Sequence, residues 1–91
     1  MRTFSRTSQF KKDVKRADKR GEDLSKLRTV MDLLIAGGQL PPEYKDHPLR
    51  GNFAGSRDCH IEPDWVLIYT LTENGSHICF ERTGTHNDLF C

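Results

Sequence analysis

Histidines, one arginine and a few aspartates hold the chemistry available to this 91-residue chain. Near the C-terminus, Phe80-Glu81-Arg82-Thr83-Gly84-Thr85-His86 sets a guanidinium and an imidazole on either side of a glycine, with Phe90 close behind. A guanidinium is a permanent cation whose planar fork fits phosphate oxygens. An imidazole gains and loses a proton near neutral pH. His47 lies upstream in Tyr44-Lys45-Asp46-His47-Pro48-Leu49, and His60 in Arg57-Asp58-Cys59-His60-Ile61-Glu62-Pro63-Asp64-Trp65. RNA cleavage without a metal needs a base for the ribose 2′-hydroxyl proton, an acid for the leaving 5′-oxygen, and a cation for the charge that builds on the phosphoryl oxygens. The histidines suit the first two tasks and Arg82 the third. Phe90 offers a ring on which an unstacked base can lie; the competing reading makes it an apolar anchor for the chain end.

Spacing refines the set. In an extended strand, side chains alternate between faces, so Asp58 and His60 share one face while Arg57, Cys59 and Ile61 take the other. Glu62-Pro63-Asp64 must turn the chain, which brings Asp64 back towards His60 and makes it a candidate partner for that imidazole. The alternative is a polar hairpin end with an exposed histidine. His47 is restrained by Pro48, and Lys45 beside it can meet a phosphate as a point charge. His77 neighbours the Asn74-Gly75 turn, at the far end of that hairpin from Arg82, and reads as an exposed surface histidine. Glu81 alternates away from Arg82. A zinc site is the competing use of these residues, but neither Cys59-His60 nor His77-Ile78-Cys79 has the usual ligand spacing. No metal and no cofactor is expected.

These groups need elements to position them. Thr7-Ser8 offers a helix N-cap, after which Phe10, Val14 and Ala17 recur on one helical face and Gly21 ends the run. A second helix starts near Glu22-Asp23, carries an apolar stripe from Leu24 to Ile35, and stops at Gly37-Gly38. Residues 39–55 form a long irregular connection held extended by Pro41, Pro42 and Pro48. Strands follow over 57–62, 65–71 and 76–82, the middle one apolar on both faces and therefore central. Gly84 breaks the last strand and leaves a short tail. With an edge strand at Arg2-Thr3-Phe4-Ser5, the order is β-α-α-β-β-β. That predicts one α+β domain over residues 1–91, an antiparallel sheet with a two-helix hairpin packed on one face and a site on the other.

The net charge of +1 hides an asymmetry: residues 1–38 hold ten Lys/Arg against five Asp/Glu, and residues 39–91 hold four against eight. The basic front half points to a polyanion or an acidic protein partner, or to no more than a solvated helix face. The N-terminus carries no signal-like apolar run, and no stretch approaches the roughly 18–20 apolar residues of a membrane span. The cysteines are odd in number and lack a Cys-x-x-Cys pair, which fits free thiols in a reducing cytoplasm. Cys59 and Cys79 read as small interior residues. Cys91, directly after Phe90, is a reactive group beside the proposed site.

Together the three motifs around His47, His60 and His86 resemble the YafQ branch of the RelE/ParE toxins, the toxin halves of type II toxin–antitoxin modules. The likeness runs over nearly the whole chain, element order included. It implies a ribosome-dependent endoribonuclease that cuts mRNA in the decoding site and is neutralised by a cognate antitoxin of the DinJ or RelB kind, with no membrane partner. It implies active-site roles for His47, His60, Asp64, Arg82 and His86, with His86 as general acid. Base and charge-stabilising roles fall to His47 and His60, in an order the resemblance does not fix. Asp58, Lys45 and Phe90 stand as supporting or substrate-binding residues. The runner-up is a non-catalytic toxin of the same fold, such as the ParE branch that binds DNA gyrase, and a third reading is a general basic nucleic-acid binder.

Overall fold

The computed structural model describes residues 1–90, so Cys91 and the expectation attached to it lie outside the described residues. Helix α1 (Ser8–Lys19) begins where Thr7 Oγ1 accepts the Phe10 N–H at 2.9 Å. It buries Phe10, Asp13 and Ala17, one residue type more than an apolar stripe requires. Helix α2 (Leu24–Ala36) begins at Asp23, whose carboxylate accepts the Ser25 N–H. It ends at Gly37, where φ of 90° lies in the left-handed region that glycine enters without strain.

Five strands form the sheet: β1 (Thr3–Arg6), β2 (His47–Pro48), β3 (Arg57–Glu62), β4 (Trp65–Thr72) and β5 (His77–Gly84), in the spatial order β1-β5-β4-β3-β2. The central trio is antiparallel, as alternation and short turns require. The edges refine the expectation of an antiparallel sheet. β1 lies parallel beside β5, because the chain leaves β1 into two helices rather than a hairpin. β2 is a two-residue strand that pairs His47 with Asp58 inside the connection expected to be irregular.

Both helices cover one face. There Phe10, Ala17, Leu27, Val30 and Leu34 pack on Cys59, Trp65, Leu67, Tyr69, Ile78 and Phe80. The other face holds a smaller cluster in which Val66, Ile68 and Leu89 meet Leu49 and Phe53. Leu89 comes from a short helix, α3 (His86–Phe90), where the sequence suggested a tail. Gly84 does not break the strand; it is the last residue of β5.

Two local expectations change. His77 is half-buried, not exposed: its ring nitrogens meet Thr3 Oγ1 at 2.6 Å and Ser5 Oγ at 2.9 Å, because β1 runs alongside β5. Cys79 is only half-buried, since its register partner on β1 is Ser5 and the core side of β5 belongs to Ile78 and Phe80. Cys59 does pack in the core, and burial pushes its thiol up to about 12. Among the described residues no helix is long and apolar enough to cross a membrane.

Candidate active site

The face opposite the helices carries the chemical groups in two cross-strand rows. One runs His47, Asp58, Ile68, Arg82 across β2, β3, β4 and β5; the next runs His60, Val66, Gly84. Directly opposed residues share a face. The register shifts by one residue between Ile68 and Tyr69, where Phe80 pairs with Tyr69 but Arg82 with Ile68. Phe80 is therefore in the core while Arg82 opposes a member of the other cluster, although simple alternation puts the two on one side.

The imidazoles gather. Ring centroids are 6.3 Å apart for His47 and His60, 5.6 Å for His60 and His86, and 5.4 Å for His86 and Phe90. Phe53 extends the row, standing edge-on to Phe90 at 5.6 Å. Phe90 is 40% exposed, so it is a ring presented at the surface rather than a buried anchor.

Each histidine is held differently. His47 Nδ1 donates to the Lys45 carbonyl at 2.7 Å, and its Nε2 lies 3.0 Å from Asp58 Oδ1. That second approach is off the line of a hydrogen bond, so Asp58 Oδ1 is, among the described residues, a buried side-chain oxygen without one. Burial pushes the Asp58 carboxyl above the usual range, and the nearby His47, His60 and His86 pull it back. His60 Nδ1 donates to the Pro63 carbonyl at 3.2 Å. Asp64 does not pair with His60. Its Oδ1 accepts the His86 backbone N–H at 3.2 Å and lies 3.6 Å from His86 Nδ1. A register shift between His60 and Glu62 brings Glu62 opposite Trp65, and the turn delivers Asp64 to the far end of β5.

Lys45 contributes its carbonyl; it sits in the left-handed region at φ 51° at the end of a 3-10 turn, Pro42–Tyr44. Arg82 lines a cleft with Phe53, Ser56 and Thr7. Its Nε donates to Asp13 Oδ2 at 2.7 Å and its Nη2 to Asp13 Oδ1 at 3.3 Å. The hydrogen bond to Asp13 raises the guanidinium further above its ordinary value. Among the described residues no three His, Cys, Asp or Glu side chains are grouped to hold a metal.

A family model for the bacterial toxin of type II toxin–antitoxin systems, YafQ, matches residues 2–91. The chain belongs to the YafQ toxin family. It is 52% identical over 90 residues to the mRNA interferase toxin YafQ of Escherichia coli (strain K12), covering 98% of this chain and 96% of that one. The crystal structure of YafQ from E. coli strain BL21(DE3) superposes with a TM-score of 0.93 at 50% identity over the full length of both. The toxin in the E. coli DinJ–YafQ complex does so with a TM-score of 0.91 at 51% identity, again over both full lengths. The toxin class expected from the motifs is thereby established.

Several residues that hold these groups in place carried no motif in the sequence. Asp13 is 2% exposed and takes Arg82, Arg16 and the Thr83 N–H. It closes the edge of β5 beyond the end of β1. An aspartate on the apolar face of α1, one turn from Phe10 and Ala17, was the available signal. Asp46 accepts the Tyr69 hydroxyl at 2.7 Å and Arg57 Nε at 3.2 Å, which pins the segment before His47. Thr85-x-x-Asp88 is a legible N-capping pattern for α3. Thr85 Oγ1 accepts the Asp88 N–H at 3.1 Å while Asp88 Oδ2 accepts the Thr85 N–H at 3.0 Å.

Proposed function

We propose that this toxin cuts mRNA at the ribosome by transphosphorylation through its own side chains. An imidazole takes the proton of the ribose 2′-hydroxyl, the 2′-oxygen attacks phosphorus, and the bond to the 5′-oxygen breaks as His86 gives that oxygen a proton. The products are a 2′,3′-cyclic phosphate and a free 5′-hydroxyl. One observation carries this reading: three imidazoles stand ring to ring beside an exposed phenyl ring. An Nδ1–H turned to Asp64 leaves His86 Nε2 to deliver the proton. Phe90 receives a base turned out of the stack. Arg82 offers charge at the end of the row, with Nη1 outside its bonds to Asp13. The naming of its E. coli relatives as mRNA interferases supports the same chemistry.

The exposed lysines of α1, Lys11, Lys12, Lys15 and Lys19, fit a polyanionic ribosomal surface or an acidic segment of a DinJ-like antitoxin. The cytoplasm is the setting in which both partners are met. The test is a translation reaction mapped for new 5′ ends, with and without ribosomes. Cuts are expected only with ribosomes and abolished by a 2′-deoxy sugar at the cut position. Undiminished toxicity of His86→Ala would favour a toxin that acts by binding alone.

A further inference from the structure

Phe53 closes the row of rings on the side away from the histidines, on the loop between β2 and β3. Backbone bonds shape that loop. The Leu49 N–H donates to the Ser56 carbonyl at 2.9 Å, and the Ala54 N–H to the Gly51 carbonyl at 3.0 Å. Side chains then brace it. Thr70 Oγ1 gives its one proton to Glu81 Oε2 at 3.0 Å, so the Ser56 hydroxyl, 2.8 Å from Thr70 Oγ1, is the donor there. Glu81 is the extra residue of the bulge between Phe80 and Arg82. The bulge puts it on the wall of one cleft with Arg82, against simple alternation. A relay across β4 and β5 thus fixes the loop that carries Phe53.

Two uses of the ring compete. Phe53 packs against Val66, Ile68 and Leu89, so it covers a small apolar cluster. Leucine would cover that cluster as well; what it lacks is a flat face. The surroundings of Phe53 fit a face in use. The ring is partly exposed, and it walls a cleft of about 380 Å³ with Phe90, Arg50 and Asn52. That lies in the size range of small-molecule sites. Arg50 enters no ion pair among the described residues, which leaves its guanidinium for a phosphate. The planes of Phe53 and Phe90 stand at 80°. One base can lie flat on only one of them, so two rings take two bases.

We propose that Phe53 is a second stacking platform of the RNA track. It holds the nucleotide next to the one on Phe90, one step further from the histidines, with Arg50 at its phosphate. This assignment rests on the ribonuclease reading above. Every base has a π-face, so the platform splays the strand without choosing its sequence. A strand pinned at two successive bases has less freedom at the phosphate that must react, which is an orientational gain. Ser56, Thr70 and Glu81 are positioning residues in this arrangement, since they act through the loop.

The experiment is a double-mutant cycle between the full-length toxin and ribosome-bound mRNA, read as the single-turnover cutting rate. The protein arm compares wild type, Phe53→Leu, Phe53→Tyr and Phe90→Leu. The RNA arm replaces one base at a time, across the cut codon and its flanks, with an abasic ribose that keeps its 2′-hydroxyl. Loss of one stack should slow cutting by on the order of tenfold or more. Phe53→Leu should show that loss on intact mRNA and none relative to wild type on the one abasic message whose base Phe53 holds. Phe53→Tyr keeps the ring and should cut like wild type. The abasic position that erases the Phe53→Leu defect should adjoin the one that erases the Phe90→Leu defect. A Phe53→Leu defect that persists on every abasic message makes the ring a cover only and overturns the platform, as does undiminished cutting of intact mRNA. Circular dichroism checks the fold, and Phe53→Met, also without a ring, carries the same comparison where Phe53→Leu is unfolded. A wild-type chain that leaves mRNA whole overturns the ribonuclease reading and the platform with it.

Discussion

Arg20 binds Asp88 through both terminal nitrogens, Nη1 to Oδ2 at 2.7 Å and Nη2 to Oδ1 at 3.3 Å, across 68 residues of chain. Arg20 caps the end of α1, and Asp88 lies on α3 between His86 and Phe90. The basic helix and the helix that bears two proposed site residues are thus tied together. Arg16 adds a longer contact to the same carboxylate at 3.7 Å.

Arg20 holds the Asp88 carboxyl well below the usual carboxylate range, with the Thr85 N–H assisting. A depressed folded-state value means the ionised form stabilises the fold. That stability is present above the unfolded aspartate value of about 3.9 and is lost as pH falls below it towards the folded value. Denaturant unfolding of wild type and Asp88→Asn should therefore differ at neutral pH, and the gap should start to close only as pH falls below about 4. A gap that widens on acidification would contradict the arrangement.

Gly84 is set by this same carboxylate. A Cβ there would stand 2.9 Å from Asp88 Oδ2 and 3.0 Å from Asp88 Cβ. Gly84→Ala should push Asp88 outward and α3 with it. Cleavage should fall by on the order of 10²-fold, the cost of a misplaced reacting group, while circular dichroism still shows a folded chain. Near-normal cutting would mean that the shift is absorbed before it reaches His86.

Asp58 has the opposite sign to Asp88. Burial raises its carboxyl, so ionisation costs the folded state stability, and the cost grows as pH rises from the unfolded aspartate value through the folded one. Asp58→Asn should be more stable than wild type at neutral pH, equal to it in strong acid, and slower in cleavage. Urea midpoints at two pH values together with a cleavage assay decide it; a destabilised variant at neutral pH would show that the contact to His47 outweighs burial.

Asp13 is a structural carboxylate under the proposed site. Asp13→Ala strands the Thr83 N–H and frees two arginines that keep some access to water. The loss expected is about 3 kcal/mol, the lower end for breaking a buried pair. Urea unfolding of wild type and variant measures it, and a loss under about 1 kcal/mol, typical of an exposed pair, would show that the guanidiniums do not depend on Asp13.

Periodicity and caps were legible along the chain. Thr7, Asp23 and Gly37 bound their helices as expected because a cap is a bargain among neighbours in sequence. Asp58 and His60 share a face because alternation is local. The end of the chain was less legible. Thr85 and Asp88 together cap a helix where Gly84 reads as the start of a short tail.

The sequence by itself determined the residue types and most of the strands and helices that carry them; the meeting of three histidine-bearing stretches on one side of the sheet is tertiary. Only the tertiary structure decided which oxygen each imidazole faces: Asp58 for His47, Pro63 for His60, Asp64 for His86. It also sent Arg82 to Asp13 and laid β1 parallel to β5. Those pairings turn on one-residue register shifts and on where a helix meets a strand edge, and both are fixed by packing between segments far apart in the chain.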